Sequence, residues 1–316
     1  MPRSASPDRR GRSRLLRFSA ALLALLCIAG YALVQYVTSR LDVARCTVRA
    51  ADGHGEDYRL EPRQAANAAT IAAVASRHDL SERAVTIALA TAMQESALRN
   101  IDHGDRDSLG LFQQRPSQGW GTADQIQDPV YAAEKFYEHL AKVPGYSRLP
   151  LTVAAQRVQR SGFPQAYAKH ESQAVLLTAA LTGRRAASFT CTTGTGQGAA
   201  DTRAGSASEV RERLVREFGS GVLPDGGSSP AAAGGGGRRA APESQVVIPP
   251  SGAQREWELA HWAVAHATEL RIDRVAVRGH VWTAERSEAG WRRVGASTRA
   301  AGVGGSPVTL GLKSGQ

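Results

Sequence analysis

Between Ala84 and Leu98 the chain reads AVTIALATAMQESAL, and its one ionisable side chain is Glu95. A helix that is apolar on most faces has to be enclosed by other elements, so these residues demand a shell of partners around them. Burial disfavours the ionised form of an acid, and an unpaired Glu95 in such a helix would have a raised pKa. That is the property a general acid needs near neutral pH. The alternative is that Glu95 lies where the helix emerges and pairs with Arg99 at the i,i+4 spacing. With 316 residues, the chain has room for two ordinary domains.

The residues that follow favour the first reading. Residues 99–108 are polar, with Asp102, Gly104, Asp105 and Asp107, so the chain turns into solvent and returns at Ser108-Leu109-Gly110-Leu111-Phe112-Gln113. Glu95-Ser96 resembles the catalytic Glu-Ser pair of the lysozyme-like superfamily, in its soluble lytic transglycosylase and goose-type lysozyme branch. Ser108 with Gly110-Leu111-Phe112-Gln113 is similar to that family's Ser-x-Gly-Leu-Met-Gln motif, with Phe112 in place of Met. Pro116 and Asp128-Pro129 also sit where the family has similar residues. One departure concerns the family's Ala-Tyr-Asn on a later helix. Its counterpart here is Ala154-Ala155-Gln156-Arg157, which lacks the Tyr and Asn. Gln156, Gln159 and Tyr167 are the candidates to replace their hydrogen bonds.

The amino-terminal residues bear on the compartment. Arg3, Arg9, Arg10, Arg12, Arg14 and Arg17 precede an uncharged run, 18–39, that ends at Arg40. As a helix this run would span about 33 Å, enough to cross a bilayer. The arginines on its amino side predict a cytoplasmic basic tail (1–17), a single transmembrane anchor (18–39) in contact with lipid, and extracytoplasmic main domains. A cleaved signal peptide is the alternative, although the run is long and lacks a clear small-x-small cleavage site. In an oxidising compartment Cys46 and Cys191 would close the two ends of one domain with a disulfide. The net charge of +10 suits an anionic surface or an acidic wall polymer. Nucleic acid is not expected as a partner, because no RNA- or DNA-binding signature and no basic stripe interleaved with aromatics is present.

Between the anchor and residue 64 the chain reads as a polar stalk (40–64). Helical spacing of apolar residues then predicts helices over 65–78, 81–98, 130–142, 151–160 and 165–181, with Asp128-Pro129 starting the third. The fold class expected is mainly α: a lysozyme-like helical domain (65–191) behind the transmembrane helix, with no strand except a short hairpin near 102–108. Residues 192–245 read as a flexible linker carrying one short helix, 206–218, where Ser206 and Glu209 stand at capping-box spacing. The Gly234-to-Gly237 run within it is expected to be disordered. Residues 246–316 read as a small α+β accessory domain, with strands near 246–248, 274–277, 280–283, 290–294 and 308–312 around a helix over 254–270. Trp257, Trp262, Trp282 and Trp291 in it suit either a core or a sugar-stacking platform. It reads as a binding or assembly module that would take an envelope protein as partner.

Cleavage of a β-1,4 glycosidic bond needs a proton on the leaving oxygen as the ring gains oxocarbenium character, and Glu95 is the candidate donor. A hydrolase would need a second carboxylate from among Asp102, Asp105, Asp107 and Asp124. The resemblance instead implies a lytic transglycosylase working with one Glu, which returns as base while the sugar's own 6-hydroxyl attacks. Ser96, Ser108, Gly110, Gln113, Trp120, Gln156 and Tyr167 are the candidate substrate-binding residues, and peptidoglycan is the substrate implied. No cofactor or metal is expected, since the Asp-rich loop misses the EF-hand spacing and His261 and His266 are five apart, off a shared helical face. The competing reading is a catalytically weak peptidoglycan-binding or envelope-assembly protein of the same fold.

Overall fold

The computed structural model describes residues 9–39, 44–50, 56–194, 203–223, 244–294 and 306–315. The expected basic tail lies outside these as far as residue 8, and the expected disorder around Gly234 lies outside them altogether.

The expected transmembrane helix over 18–39 has to be corrected. Helix α1 runs Arg9–Ser39, yet among the described residues no helix is long and apolar enough to cross a membrane. Its amino-terminal turns carry Arg9, Arg10, Arg12, Arg14 and Arg17, so the helix is apolar over only part of its length. The architecture is that of a mainly helical chain with two small sheets.

The stalk reading also changes. Strands β1 (Arg45–Val48), β2 (Tyr58–Leu60) and β3 (Phe189–Thr192) form an antiparallel sheet in the order β2-β1-β3. Cys46 stands directly opposite Cys191 in the register, and the two form a disulfide. Cys46 and Val48 point inward while Arg45 is exposed and Thr47 half-buried, so this short segment is a floor of the core.

Above the sheet lie α2 (Pro62–Arg77), α3 (Glu82–Ser96), α4 (Ala123–Ile126), α5 (Pro129–Ala141), α6 (Leu151–Gln159) and α7 (Glu171–Leu181). Pro62 starts α2, where a missing N–H costs nothing, and the Gln64 side chain accepts the Glu61 N–H at 2.8 Å. Asp128 caps α5 by accepting the Val130 N–H at 3.1 Å. The buried face of α2 is mostly alanine, from Ala65 to Ala75, which lets neighbouring backbones approach. As its composition demands, α3 is enclosed on nearly every side, by α2, α5, α6, α7 and the 3-10 turn Pro164–His170.

Helix α8 (Ala207–Phe218) is capped by Ser206, which accepts the Glu209 N–H. Strand β4 (Gln245–Ile248), helices α9 (Ala253–Ala265) and α10 (Ala267–Leu270), and strands β5 (Ile272–Val277), β6 (His280–Thr283), β7 (Arg292–Arg293) and β8 (Val308–Leu312) complete the chain. The strands form one antiparallel sheet ordered β4-β8-β5-β6-β7. Helix α9 packs on that sheet with one side and on α2, α7 and β3 with another. The tryptophans belong to this packing: Trp282 Nε1 donates to the Cys191 carbonyl at 3.1 Å, and Trp291 Nε1 to that of Phe189 at 2.7 Å. Trp262 Nε1 donates to the buried carboxylate of Glu217 at 2.7 Å, which also accepts from Thr70 and Arg213. A single apolar core therefore runs from Val48 through α2 and α3 to Trp262 and Leu310.

Candidate functional site: a cleft at the carboxyl end of a buried helix

Helix α3 ends abruptly. Ala97 and Leu98 both take left-handed backbone conformations, and side chains of α2 satisfy the carbonyls this exposes: Gln64 Nε2 reaches Ala97 O and Asn67 Nδ2 reaches Leu98 O, each at 2.8 Å. The last turn of α3, which carries Glu95, is thereby fixed in place. Ser96 is buried and donates to the carbonyls of Ala92 at 3.1 Å and Leu111 at 2.8 Å, tying the helix to the returning loop. A Cβ on Gly110, at φ +74°, would meet Ile126 O at 2.7 Å, so only glycine permits this close passage of the loop beneath α4. Phe112 is fully buried and stacks on Phe136 with 4.6 Å between ring centroids, a contact that gives the aromatic ring its place in the motif.

Glu95 is half-buried and faces a cleft of about 900 Å³. Burial pushes its pKa up, opposed by hydrogen bonds from Tyr167 and Gln159. Tyr167 is fully buried and donates its hydroxyl to Glu95 Oε1 at 2.7 Å. Burial and the neighbouring carboxyl together push the Tyr167 hydroxyl's own pKa up, which keeps it a donor. Gln159 Nε2 donates to Phe112 O at 2.7 Å, joining α6 to the glycine loop beside Glu95. The pairing with Arg99 does not form, because Arg99 reaches Glu61 instead, at 2.9 Å.

Of the residues singled out from the sequence, Ser108, Gln113 and Trp120 line the cleft with Glu95. Trp120 is half-buried and stacks on His139 with 4.1 Å between centroids, fixing one wall. Gln156 points elsewhere, donating to Ser161 O at 2.9 Å, and Ser96 and Gly110 build the loop. Of the four aspartates, only Asp105 lines the cleft, and it is exposed. Asp107 is taken up by Arg115 at 2.7 Å and by the Ser117 N–H at 2.8 Å, which hold its carboxyl well below the usual range. Asp102 pairs with His103 at 2.9 Å, and Asp124 lies exposed in the first turn of α4. Among the described residues, no group of three or more His, Cys, Asp or Glu side chains is placed to hold a metal ion.

The cleft also has lining residues that the sequence reading passed over: Arg106, His139, Lys142, Arg157, Arg160 and Phe163. The one available signal was the spacing of Arg157 and Arg160 on a helix whose other face is apolar. Phe163 is 79% exposed at the rim, an unusual position for a phenylalanine. No family model matches the chain, and no curated protein does either.

Proposed function

We propose that the chain cleaves the β-1,4 bonds of peptidoglycan glycan strands with Glu95 as proton donor, in the manner of the lytic transglycosylases its motifs resemble. The observation that carries this reading is the Glu95 carboxyl itself, half-buried, raised in pKa and oriented by Tyr167 at the wall of an open cleft. Protonated Glu95 gives its proton to the glycosidic oxygen, the bond from that oxygen to the anomeric carbon breaks, and positive charge develops on the ring. The resulting Glu95 carboxylate takes the proton of the sugar's 6-hydroxyl as that oxygen closes on the anomeric carbon. The product is an anhydro-sugar, and Glu95 is again protonated. One carboxyl suffices for this cycle, which accords with a cleft whose only other described carboxylate, Asp105, is exposed. Tyr167 supplies the hydrogen bond that the missing Tyr-Asn pair would have given, and Trp120 on His139 offers a flat face for a sugar ring. The Cys46–Cys191 bridge supports an oxidising, extracytoplasmic site of action.

The test is digestion of purified peptidoglycan by the full chain and by its Glu95→Gln variant, with fragments identified by mass spectrometry. Anhydro-muropeptides released by the parent and lost in the variant are the expected result. Reducing-end products would transfer the reaction to hydrolysis and make Asp105 the second carboxylate to examine. Sedimentation of both proteins with the wall, without release of fragments, would replace the enzyme by a wall-binding module.

A further inference from the structure

The cleft is lined by more positive charge than the chemistry at Glu95 uses. Arginines elsewhere in the fold find carboxylate partners, six of them being Arg77 with Glu134, Arg83 with Glu171, Arg99 with Glu61, Arg115 with Asp107, Arg184 with Glu82 and Arg216 with Asp128. Arg115 is the only one of the six that lines the cleft, and its guanidinium is committed to Asp107. Lys142, just past the end of α5, and Arg157 and Arg160, at the end of α6, line the same cleft as Glu95 and are exposed. None of the three has an ion pair among the described residues. Glu138, one turn before Lys142, is held by Lys135 at 2.8 Å.

Like charges gathered in one cleft repel one another, and a fold gains nothing from gathering them there. A neighbour feels two of them: burial first, then the charge of Lys142 and, after that of Lys135, the charge of Arg160 hold the His139 imidazole below its ordinary pKa. His139 is the ring on which Trp120 stacks, so the cationic wall lies beside the flat face offered to a sugar.

We propose that Lys142, Arg157 and Arg160 form an anion subsite within the cleft that binds a carboxylate carried by the glycan, so that charged strands are preferred to neutral ones. This rests on the proposed action on peptidoglycan and deepens it. The carboxylate has two sources with the same chemistry, the free lactyl group of a peptide-free sugar and, where a peptide is joined to that group as an amide, the peptide's own carboxylates. Exposed lysine and arginine heads on this wall can meet either without desolvating a buried charge.

The experiment measures binding in the Glu95→Gln background, so that substrate is not consumed, with and without Lys142→Gln, Arg157→Gln and Arg160→Gln together. The ligands are peptide-bearing glycan fragments, peptide-stripped fragments that retain the lactyl carboxylate, and neutral chito-oligosaccharides. The triple change is expected to weaken a charged ligand about tenfold at low salt, with the difference shrinking as salt is raised, and to leave the neutral ligand unaffected. Loss with the peptide-stripped ligand alone assigns the subsite to the free lactyl carboxylate, loss with the peptide-bearing one alone assigns it to the peptide's carboxylates, and loss with both means that the subsite takes either. Equal loss on neutral and charged ligands, no loss at all, or no binding of any glycan by the parent overturns the proposal. Cleavage by the chain with Glu95 intact is followed separately: charge-selective binding without cleavage would retain the subsite and remove the enzyme.

Discussion

At the scale of single residues, the Glu95–Tyr167 contact decides how the proposed chemistry responds to pH. Glu95 has to be protonated to act as the acid, so the rate falls as pH rises through its pKa, on the alkaline limb of the profile. Burial raises that pKa and the Tyr167 hydroxyl lowers it, so removing the hydroxyl raises it further. Tyr167→Phe is therefore expected to move the alkaline limb of the rate profile to higher pH. It should also slow cleavage at the optimum about tenfold, because one hydrogen bond to the reacting carboxyl is lost. A profile unmoved by the change would exclude Tyr167 as the orienting group. Glu95 itself was legible in the sequence, because one acid in fifteen otherwise uncharged residues breaks the pattern around it. Tyr167 was legible only as one of three candidates. Which of Gln156, Gln159 and Tyr167 faces the carboxyl depends on how the turn Pro164–His170 folds back onto α3, and local spacing carries no record of that.

At the scale of elements, Gly183 sets how closely two helices approach. It closes the turn after α7 at φ +70°, and a Cβ there would collide with the carbonyl of Gln254 and lie 2.6 Å from the Glu258 N, both backbone atoms of α9. Gly183→Ala adds backbone strain to that collision and is expected to lower stability by roughly 2 kcal/mol or more. Denaturant unfolding measures this, and a midpoint equal to the parent's would mean that α9 can recede at little cost. Helices were the readable part of the fold, since a 3.6-residue period over ten or more positions is a long signal. Strands β1 and β2 span four and three residues, too few for alternation to register, and they were read as stalk. The run 18–39 was readable as uncharged, but it is only part of α1, whose first turns carry arginines, and among the described residues no helix is long and apolar enough to cross a membrane. The cationic wall went unread because its members end two different helices and meet only in three dimensions.

Over the whole molecule, sequence reading separated residues 65–191 from 246–316, whereas the structure joins them through one core. Four buried or half-buried tryptophans signalled a core but not whose it was; three of them donate to Phe189, Cys191 and Glu217, all before residue 246. The disulfide closes a stretch of 145 residues, for which the chain-entropy model gives about 5 kcal/mol of stabilisation. Changing Cys46 and Cys191 together to alanine should lower the unfolding free energy by that order. Unfolding of the parent in reductant should follow the variant, and a parent no more stable than the variant would show that the tryptophan contacts alone hold the ends. The bridge also fixes a load path. The helical body is entered at β1 and left at β3, with the Cα atoms of Cys46 and Cys191 3.9 Å apart. Tension between the chain before Arg45 and the chain after Thr192 would pass through one covalent bond, leaving the helices that shape the cleft mechanically slack.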